Sequence, residues 1–475
     1  MKILYVTSEA SPFAASGGLG DVMGALPPVI AASRKDVCCE VILPFYKSIE
    51  EQYRKDMTKV ADITFQLAWR KTGASIYCYE WQGVKYYFVE NHYYFDRDHL
   101  YGESDDGERF AFFSLAVLEY LRATHNVPDI LHANDWQTAL SVIYLKTELS
   151  HISELSRIRT IFTIHNVEYQ GKFDPYILGD IFALDNKYYS IVEWDGCINL
   201  MKGALTVSDF VSTVSENYAR ELCNEYFSFG LSPMIKKISD KFIGILNGID
   251  YAAFSPENGA DIYRAYSFAD RKEGKAYNKL KLQKELGLPQ SDNTPLIAMI
   301  TRLTAGKGVD LVLHIMESIM SENVQFVLLG TGDATYEEAF AAFGDCYKNF
   351  KPLIRFDRAL SKKIYAAADI FLMPSKSEPC GLAQMIACSY GTPPLVRSVG
   401  GLKDSIHPLE NGFTFEDFNA HRMLEALIGA IEMYRSGEAF DALADRAKKA
   451  DFSWRRSAGE YLNMYDNLAN DRKNE

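Results

Sequence analysis

Short apolar runs recur along the chain, each followed by a helical stretch: Ile3 to Val6 before residues 19–34, Ile130 to His132 before 135–147, and Ile161 to Ile164 before a longer irregular segment. Strands covered on both faces of a parallel sheet read as such continuous runs. The pattern restarts at 295–303, 324–330, 352–356, 369–375 and 394–397 with helical segments between, which predicts a second α/β unit with its own sheet. The seam is expected near 245–260, where Asn247-Gly248-Ile249-Asp250 supplies turn chemistry and Ser255-Pro256-Glu257-Asn258-Gly259 reads as a linker. Two doubly wound domains facing across a cleft are predicted. The charged tail from Asn470 to Glu475 reads as a solvated end.

The bulk numbers agree with this division. A chain of 475 residues, 48% apolar and 24% charged, has globular composition and exceeds what one core usually organises. Lys+Arg 50 against Asp+Glu 63 gives a net charge of −13. That balance disfavours nucleic acid as a partner, so an anionic ligand must meet locally placed cations. The eight cysteines include the adjacent Cys38 and Cys39 but no C-x-x-C, and read as reduced thiols of a cytoplasmic protein. Met1 to Val6 enters a strand directly, and no apolar run reaches the ~18 residues of a membrane span. The nine histidines form no H-E-x-x-H or similar set; neither a catalytic metal nor a cofactor is expected.

Five segments could carry chemistry. Ser16-Gly17-Gly18-Leu19-Gly20-Asp21 follows the first strand and opens a helix; bare glycines admit a phosphate or sugar close to the backbone, and helix-end amides favour an anion. A tight strand-to-helix turn explains it equally. Arg302 and Lys307 leave the strand at 295–303, at the edge where open α/β sheets bind ligands, and two cations there suit a diphosphate. Surface cations are the plain alternative. The P-loop reading fails, because Thr301 and Gly308 stand where that motif needs glycine and Ser/Thr. Gly330-Thr331-Gly332-Asp333 lacks the third glycine of a dinucleotide fingerprint.

Pro374 to Gln384 ends an apolar strand and is expected to start a helix with Pro379 near its first turn. The amides at 380–383 would then face the ligand beside Glu378; alternatively Glu378 only complements the helix dipole. In the first domain, His132-Ala133-Asn134-Asp135-Trp136 and Thr163-Ile164-His165-Asn166 close buried strands with polar and aromatic groups, the kind that bind sugar hydroxyls and cover pyranose C–H faces. Histidines satisfied inside the fold are the alternative.

Taken in order, these segments resemble the bacterial glycogen synthase and plant starch synthase family, retaining glycosyltransferases of the GT-B fold. The match includes GGLGDV at 17–22, ERFAFF at 108–113, HANDW at 132–136, TIHNVEYQG at 163–171, NGID at 247–250, TRLTAGKG at 301–308, LLGTGD at 328–333, PSKSEPCGLAQ at 374–384 and FSW at 452–454. The resemblance implies a nucleotide-sugar donor, ADP-glucose or UDP-glucose, and an α-1,4-glucan acceptor. It implies a catalytic set of Glu378, Arg302, Lys307, His165 and Asp135; donor contacts at Gly18, Asp21, Asn247, Phe356, Cys380, Leu382 and Ala383; and acceptor contacts at Glu9, Phe95 and Trp136. Domains at 1–250 and 251–455 follow, with residues 456–475 as a helix returning to the first domain. Three positions depart from the family pattern: Ala15 stands where a lysine is usual, Ser377 where a Phe is common, and Phe95 where a Tyr often precedes Asp-Arg.

The resemblance implies charge growing on the leaving diphosphate, stabilised by Arg302, Lys307 and helix-end amides, with retention by a covalent adduct on a carboxylate or by same-face attack. Other classes share parts of the pattern. A two-lobed sugar-binding protein has no need of paired cations beside a carboxylate, and a GT-B phosphorylase needs pyridoxal phosphate.

Overall fold

The apolar runs form the expected strands in the computed structural model, which describes residues 1–259 and 261–474, with side chains described through Asn470. The chain divides into two units, Met1–Gly248 joined by the segment from Trp454 onward, and Ile249–Ser453.

The first unit is built on a nine-stranded sheet. Its strands in chain order are β1 (Lys2–Val6), β2 (Cys38–Pro44), β3 (Thr58–Leu67), β4 (Arg70–Trp81), β5 (Val84–Glu90), β6 (Ile130–Asn134), β7 (Arg159–Ile164), β8 (Phe210–Thr213) and β9 (Phe242–Gly244). They lie side by side as β9-β8-β7-β6-β1-β2-β5-β4-β3. The pairing is parallel except where β4 meets β3 and β5. The β3–β4 hairpin was not foreseen from continuous apolar runs, and its burial explains why: along β3 exposed and buried positions alternate, as on a sheet covered on one face only. A small sheet of Lys172–Phe173, Glu193–Trp194 and Cys197–Asn199 occupies the segment read as irregular.

Helices α1 (Gly18–Ser33), α2 (Asp106–Thr124) and α3 (Trp136–Lys146) cover the sheet, and α4 (Trp454–Asn474) packs on α1. Helix α4 also enters the core. Tyr465 is fully buried, its hydroxyl 2.9 Å from the Tyr5 hydroxyl of β1 and 2.9 Å from His132 Nδ1 of β6. His132 Nε2 continues the chain to Thr163 Oγ1 at 2.6 Å, and Thr163 to Ser212 Oγ at 2.7 Å. No donor or acceptor in this buried row is left to desolvation. The side chains of 471–475, most of the charged tail, lie outside the described residues.

The second unit holds a six-stranded, all-parallel sheet of β10 (Leu296–Ile300), β11 (Gln325–Gly330), β12 (Phe350–Ile354), β13 (Ile370–Met373), β14 (Pro394–Arg397) and β15 (Phe413–Phe415), ordered β12-β11-β10-β13-β14-β15. Its core joins Ile297, Met299, Phe326, Leu328, Ile370, Leu372 and Leu395 with the helices above them. The parallel strands of each sheet wind outward in both directions from one switch point, between β1 and β6 in the first unit and between β10 and β13 in the second. Such switch points open a crevice at the carboxyl ends of the two strands.

Candidate active-site residues

In the second unit the loops leaving β10 and β13 meet at the switch point. Lys376 N donates to Gly306 O at 2.9 Å. Gly308 has φ +71, and a Cβ built there would lie 2.1 Å from Pro374 O, so this close approach requires glycine. Held by that contact, Lys307 Nζ stands 2.6 Å from Glu378 Oε2, which also accepts from Ser375 Oγ at 2.9 Å. Glu378 is buried; a buried carboxylate persists when paired and hydrogen-bonded. Arg302 is exposed and makes no ion pair among the described residues. A buried carboxylate neutralised by one cation, with a second cation on the same loop, leaves net positive charge for an anion.

Gly330-Thr331-Gly332-Asp333 braces the loop leaving β10. Leu303 N donates to Thr331 O and Asp333 N to Leu303 O, both at 2.8 Å, and a Cβ on Gly330 would lie 1.8 Å from Thr301 O. Pro379 is not in a first helical turn, because the helix begins at Ala383 and ends at Ser389. Glu378 therefore lies outside that helix, and its partner is Lys307 rather than the dipole. Gln384 Nε2 takes the carbonyls of Cys380 and Gly381 at 3.1 and 2.8 Å and Ser405 Oγ at 3.0 Å, which fixes the turn that Gly381 makes at φ +70. The Cys380 side chain is buried, and Leu382 and Ala383 are half-buried. Phe356, just beyond β12, is 88% exposed, an aromatic face with no covering of its own.

In the first unit the ends of β1, β6 and β7 converge. The buried Glu9 carboxylate accepts from Ser16 N at 2.6 Å, Ser16 Oγ at 2.8 Å, Gly17 N at 3.2 Å and Tyr101 OH at 2.7 Å. These four bonds tie Glu9 to the glycine loop and hold that loop in shape. A Cβ on either Gly17 or Gly18 would meet nothing within 4 Å; the loop keeps open space above it. Asp21 is half-buried in the first turn of α1, where an acidic residue complements the helix dipole.

Asp135 sits at φ 58 and ψ 174, a conformation that costs a non-glycine residue about 1–3 kcal/mol. Its Oδ1 accepts from His165 N at 2.7 Å and Asn166 N at 3.4 Å. Burial pushes its carboxyl up to about 7, the two amides pull it down, and the negative charge of Glu9 adds to the rise. His165 Nε2 meets Asn134 Oδ1 at 2.9 Å, and burial lowers its pKa to about 3. His132 is lowered to about 3 by burial and then by His165; with both nitrogens bonded inside the core, it is a satisfied structural histidine. Asn247 is buried with its Oδ1 unpartnered among the described residues. Trp136 packs edge-on to Phe110 at 5.4 Å and tilted to Phe173 at 5.7 Å, with Gly171 against its ring.

Phe95 is corrected outright. It is 1% exposed and enclosed by Tyr46, Phe112 and Phe113, so its ring reaches no ligand. Sequence reasoning missed Tyr101 and gave no individual role to Ser375 or Asn134, which it placed only within longer segments. Ser375, three residues before Glu378 in the same segment, could have been found from that spacing; Tyr101 lies in a stretch without pattern, and nothing local marks it. Among the described residues no group of three or more His, Cys, Asp or Glu is placed to hold a metal ion, and no helix is long and apolar enough to cross a membrane.

Two Rossmann-like units, each with charged and polar side chains at its switch point, have the architecture of the GT-B glycosyltransferases. Residues 2–237 match the starch synthase catalytic domain, and 282–450 match glycosyl transferases group 1. The chain is 42% identical to a glycogen synthase of Natranaerobius thermophilus, covering 98% of this chain and 97% of that one. It is 43% identical to a glycogen synthase of Geobacillus thermodenitrificans, with 98% of each covered. The catalytic domain of starch synthase IV from Arabidopsis thaliana, solved with ADP and acarbose bound, superposes with a TM-score of 0.91 at 33% identity over 98% of this chain and 99% of that one. The chain belongs to the glycogen and starch synthase family, retaining glucosyltransferases that move glucose from a nucleotide-sugar to the end of an α-1,4-glucan.

Proposed function

We propose that the donor is ADP-glucose and that Arg302 and Lys307 hold its diphosphate. The observation that carries this reading is the Lys307–Glu378 pair beside the exposed Arg302 at the β10/β13 switch point. An ammonium has three donors; one goes to Glu378 and two remain for phosphate oxygens. As the anomeric bond lengthens, charge collects on the leaving diphosphate, and fixed cations stabilise it more in the transition state than in the ground state. Glu378 lies against the transferred glucose and offsets its growing positive charge. Retention proceeds by attack on the face the diphosphate leaves.

The remaining assignments follow the same reading. Phe356 stacks on the adenine, and backbone groups at Cys380, Leu382 and Ala383 with Gly18 serve the phosphates. Asp21, Asp135, His165 and Asn247 take the glucose hydroxyls and donor phosphates. Trp136 supports the acceptor side, and Glu9 acts by shaping the glycine loop. The ADP in the Arabidopsis structure supports the choice of base. The bacterial relatives and eight unpaired cysteines support action in the cytoplasm.

The test is nucleoside diphosphate release on glycogen with ADP-glucose and UDP-glucose in parallel. ADP-glucose is expected to give the higher kcat/KM. Arg302→Ala and Lys307→Ala should each lower kcat by roughly two orders of magnitude, the usual cost of a lost transition-state donor. Unchanged rates remove the diphosphate assignment, and a glucosyl adduct on Glu378 removes same-face attack.

A further inference from the structure

His165 is gripped by two consecutive residues that an extended strand would send to opposite faces. Side chains alternate along a strand. Yet the Asp135 carboxylate accepts from His165 N at 2.7 Å, and the side chain of Asn134, the last residue of β6, lies 2.9 Å from His165 Nε2. The backbone at Asp135 makes this possible: with φ at 58, the left-handed kink turns both side chains toward the end of β7. Such a conformation persists only where its surroundings hold it, and here it lets backbone and ring of His165 be held together.

The orientation of the Asn134 amide is fixed by its neighbours. Asn134 is fully buried, and its Nδ2 donates to Val6 O at 3.2 Å and to His132 O at 3.1 Å. Backbone carbonyls only accept, so the amide nitrogen faces them and Oδ1 faces His165. That oxygen also only accepts, so the ring nitrogen it meets, Nε2, carries the proton. Burial lowers the His165 pKa to about 3, and a neutral imidazole with its proton on Nε2 keeps a lone pair on Nδ1. Nδ1 makes no hydrogen bond among the described residues and is not one of the unpartnered atoms sealed from the surface. Because Val6 ends β1, the same amide ties β1 to β6 at the switch point.

We propose that Asn134 is a positioning residue for glucose transfer: its carboxamide oxygen locks His165 as the Nε2–H tautomer, so that Nδ1 presents a lone pair to a hydroxyl of the transferred glucose. The single ring proton is committed to Asn134. His165 is thereby a hydrogen-bond acceptor toward the sugar and no acid toward the departing diphosphate. The other tautomer would set two acceptors, Nε2 and Asn134 Oδ1, against each other at 2.9 Å, and the ring would have to turn away. This role rests on the reading in which His165 meets the transferred glucose.

The experiment uses the full chain with isotope-labelled histidine, beside N134A, H165A and the double variant. Long-range proton–nitrogen correlations report which nitrogen of each ring is protonated, and the set missing from H165A belongs to His165. In the unaltered chain that set should show a protonated Nε2 and a bare Nδ1. A proton on Nδ1 at neutral pH overturns the proposal, and this measurement needs no variant to fold. In N134A the ring N–H should lose its protection from exchange with water. With ADP-glucose and glycogen, N134A should lower kcat roughly 10- to 100-fold, the scale of a misplaced contact at the reacting centre, while the KM for ADP-glucose moves less than about threefold. In the H165A background the same substitution should have no further effect on kcat, because Asn134 acts through the ring. An equal loss in both backgrounds overturns the proposal, and so does an unchanged kcat in an N134A protein that thermal unfolding shows to be folded. A kcat in H165A equal to that of the unaltered chain would instead remove the reading beneath it, in which His165 touches the glucose.

Discussion

Asp135 is the residue where conformation and titration press in the same direction. Its backbone is strained, its carboxyl is pushed up to about 7 mainly by burial, and it lies within one hydrogen bond of His165, itself lowered to about 3. Between about pH 4 and 6.5 the unfolded chain protonates His132 and His165 while the folded chain keeps them neutral. Over the same window the folded chain protonates Asp135 while the unfolded chain does not. The net excess is one proton on the unfolded side, so these three groups make stability fall by about 1.4 kcal/mol for each pH unit of acidification. Asn at 135 removes the opposing proton, and the slope should rise to about 2.7 kcal/mol per unit. Urea unfolding of D135N and the parent across that window measures the difference; equal slopes would mean that Asp135 is ionised throughout. At this scale the sequence placed Arg302, Lys307 and Glu378 on loops leaving apolar strands, as the structure has them, while the ion pair that joins Lys307 to Glu378 across 71 residues was not legible. It misled at Phe95, because position in a family pattern says nothing about whether a ring is enclosed.

Among the elements, the two loops at the β10/β13 switch act as one. Gly308 is the point where they touch, with φ +71 and Pro374 O in the space of a Cβ. Alanine there incurs about 1–2 kcal/mol for the left-handed backbone and forces the loops apart. G308A should lower the thermal midpoint of the protein and, by drawing Lys307 away from Glu378, reduce kcat far more than KM. An unchanged kcat in a folded G308A protein would separate the contact from catalysis. The strands flanking this site were readable because both faces of a parallel strand are apolar: the runs at 324–330 and 394–397 became Gln325–Gly330 and Pro394–Arg397. The β3–β4 hairpin was not, since its one-sided burial breaks the run into alternation. The start of the helix at Ala383 was misjudged at Pro379, because Gln384 bonds the preceding carbonyls and keeps that stretch out of the helix.

Over the whole chain, residues far apart in sequence complete a single core. Tyr465 of α4 joins Tyr5 of β1 and His132 of β6, and Ser457 Oγ donates to Leu246 O at 2.5 Å. Tyr465→Phe leaves His132 Nδ1 and the Tyr5 hydroxyl short of a partner in a buried site, at a cost of about 1–3 kcal/mol. Denaturant unfolding should show that loss with the fold and the glycogen kinetics retained; a loss near zero would mean that water reaches the gap. The order of synthesis on the ribosome then runs against the order of completion. Domains usually fold as they emerge, the N-terminal one first, but here the unit begun at Met1 lacks its last helix until residues beyond Trp454 are made. The contiguous stretch 249–453 can close earlier. A nascent chain therefore carries an unfinished first unit, with the surface that α4 covers still open, until Trp454–Asn474 has emerged, and a chain cut before Trp454 leaves it unfinished for good.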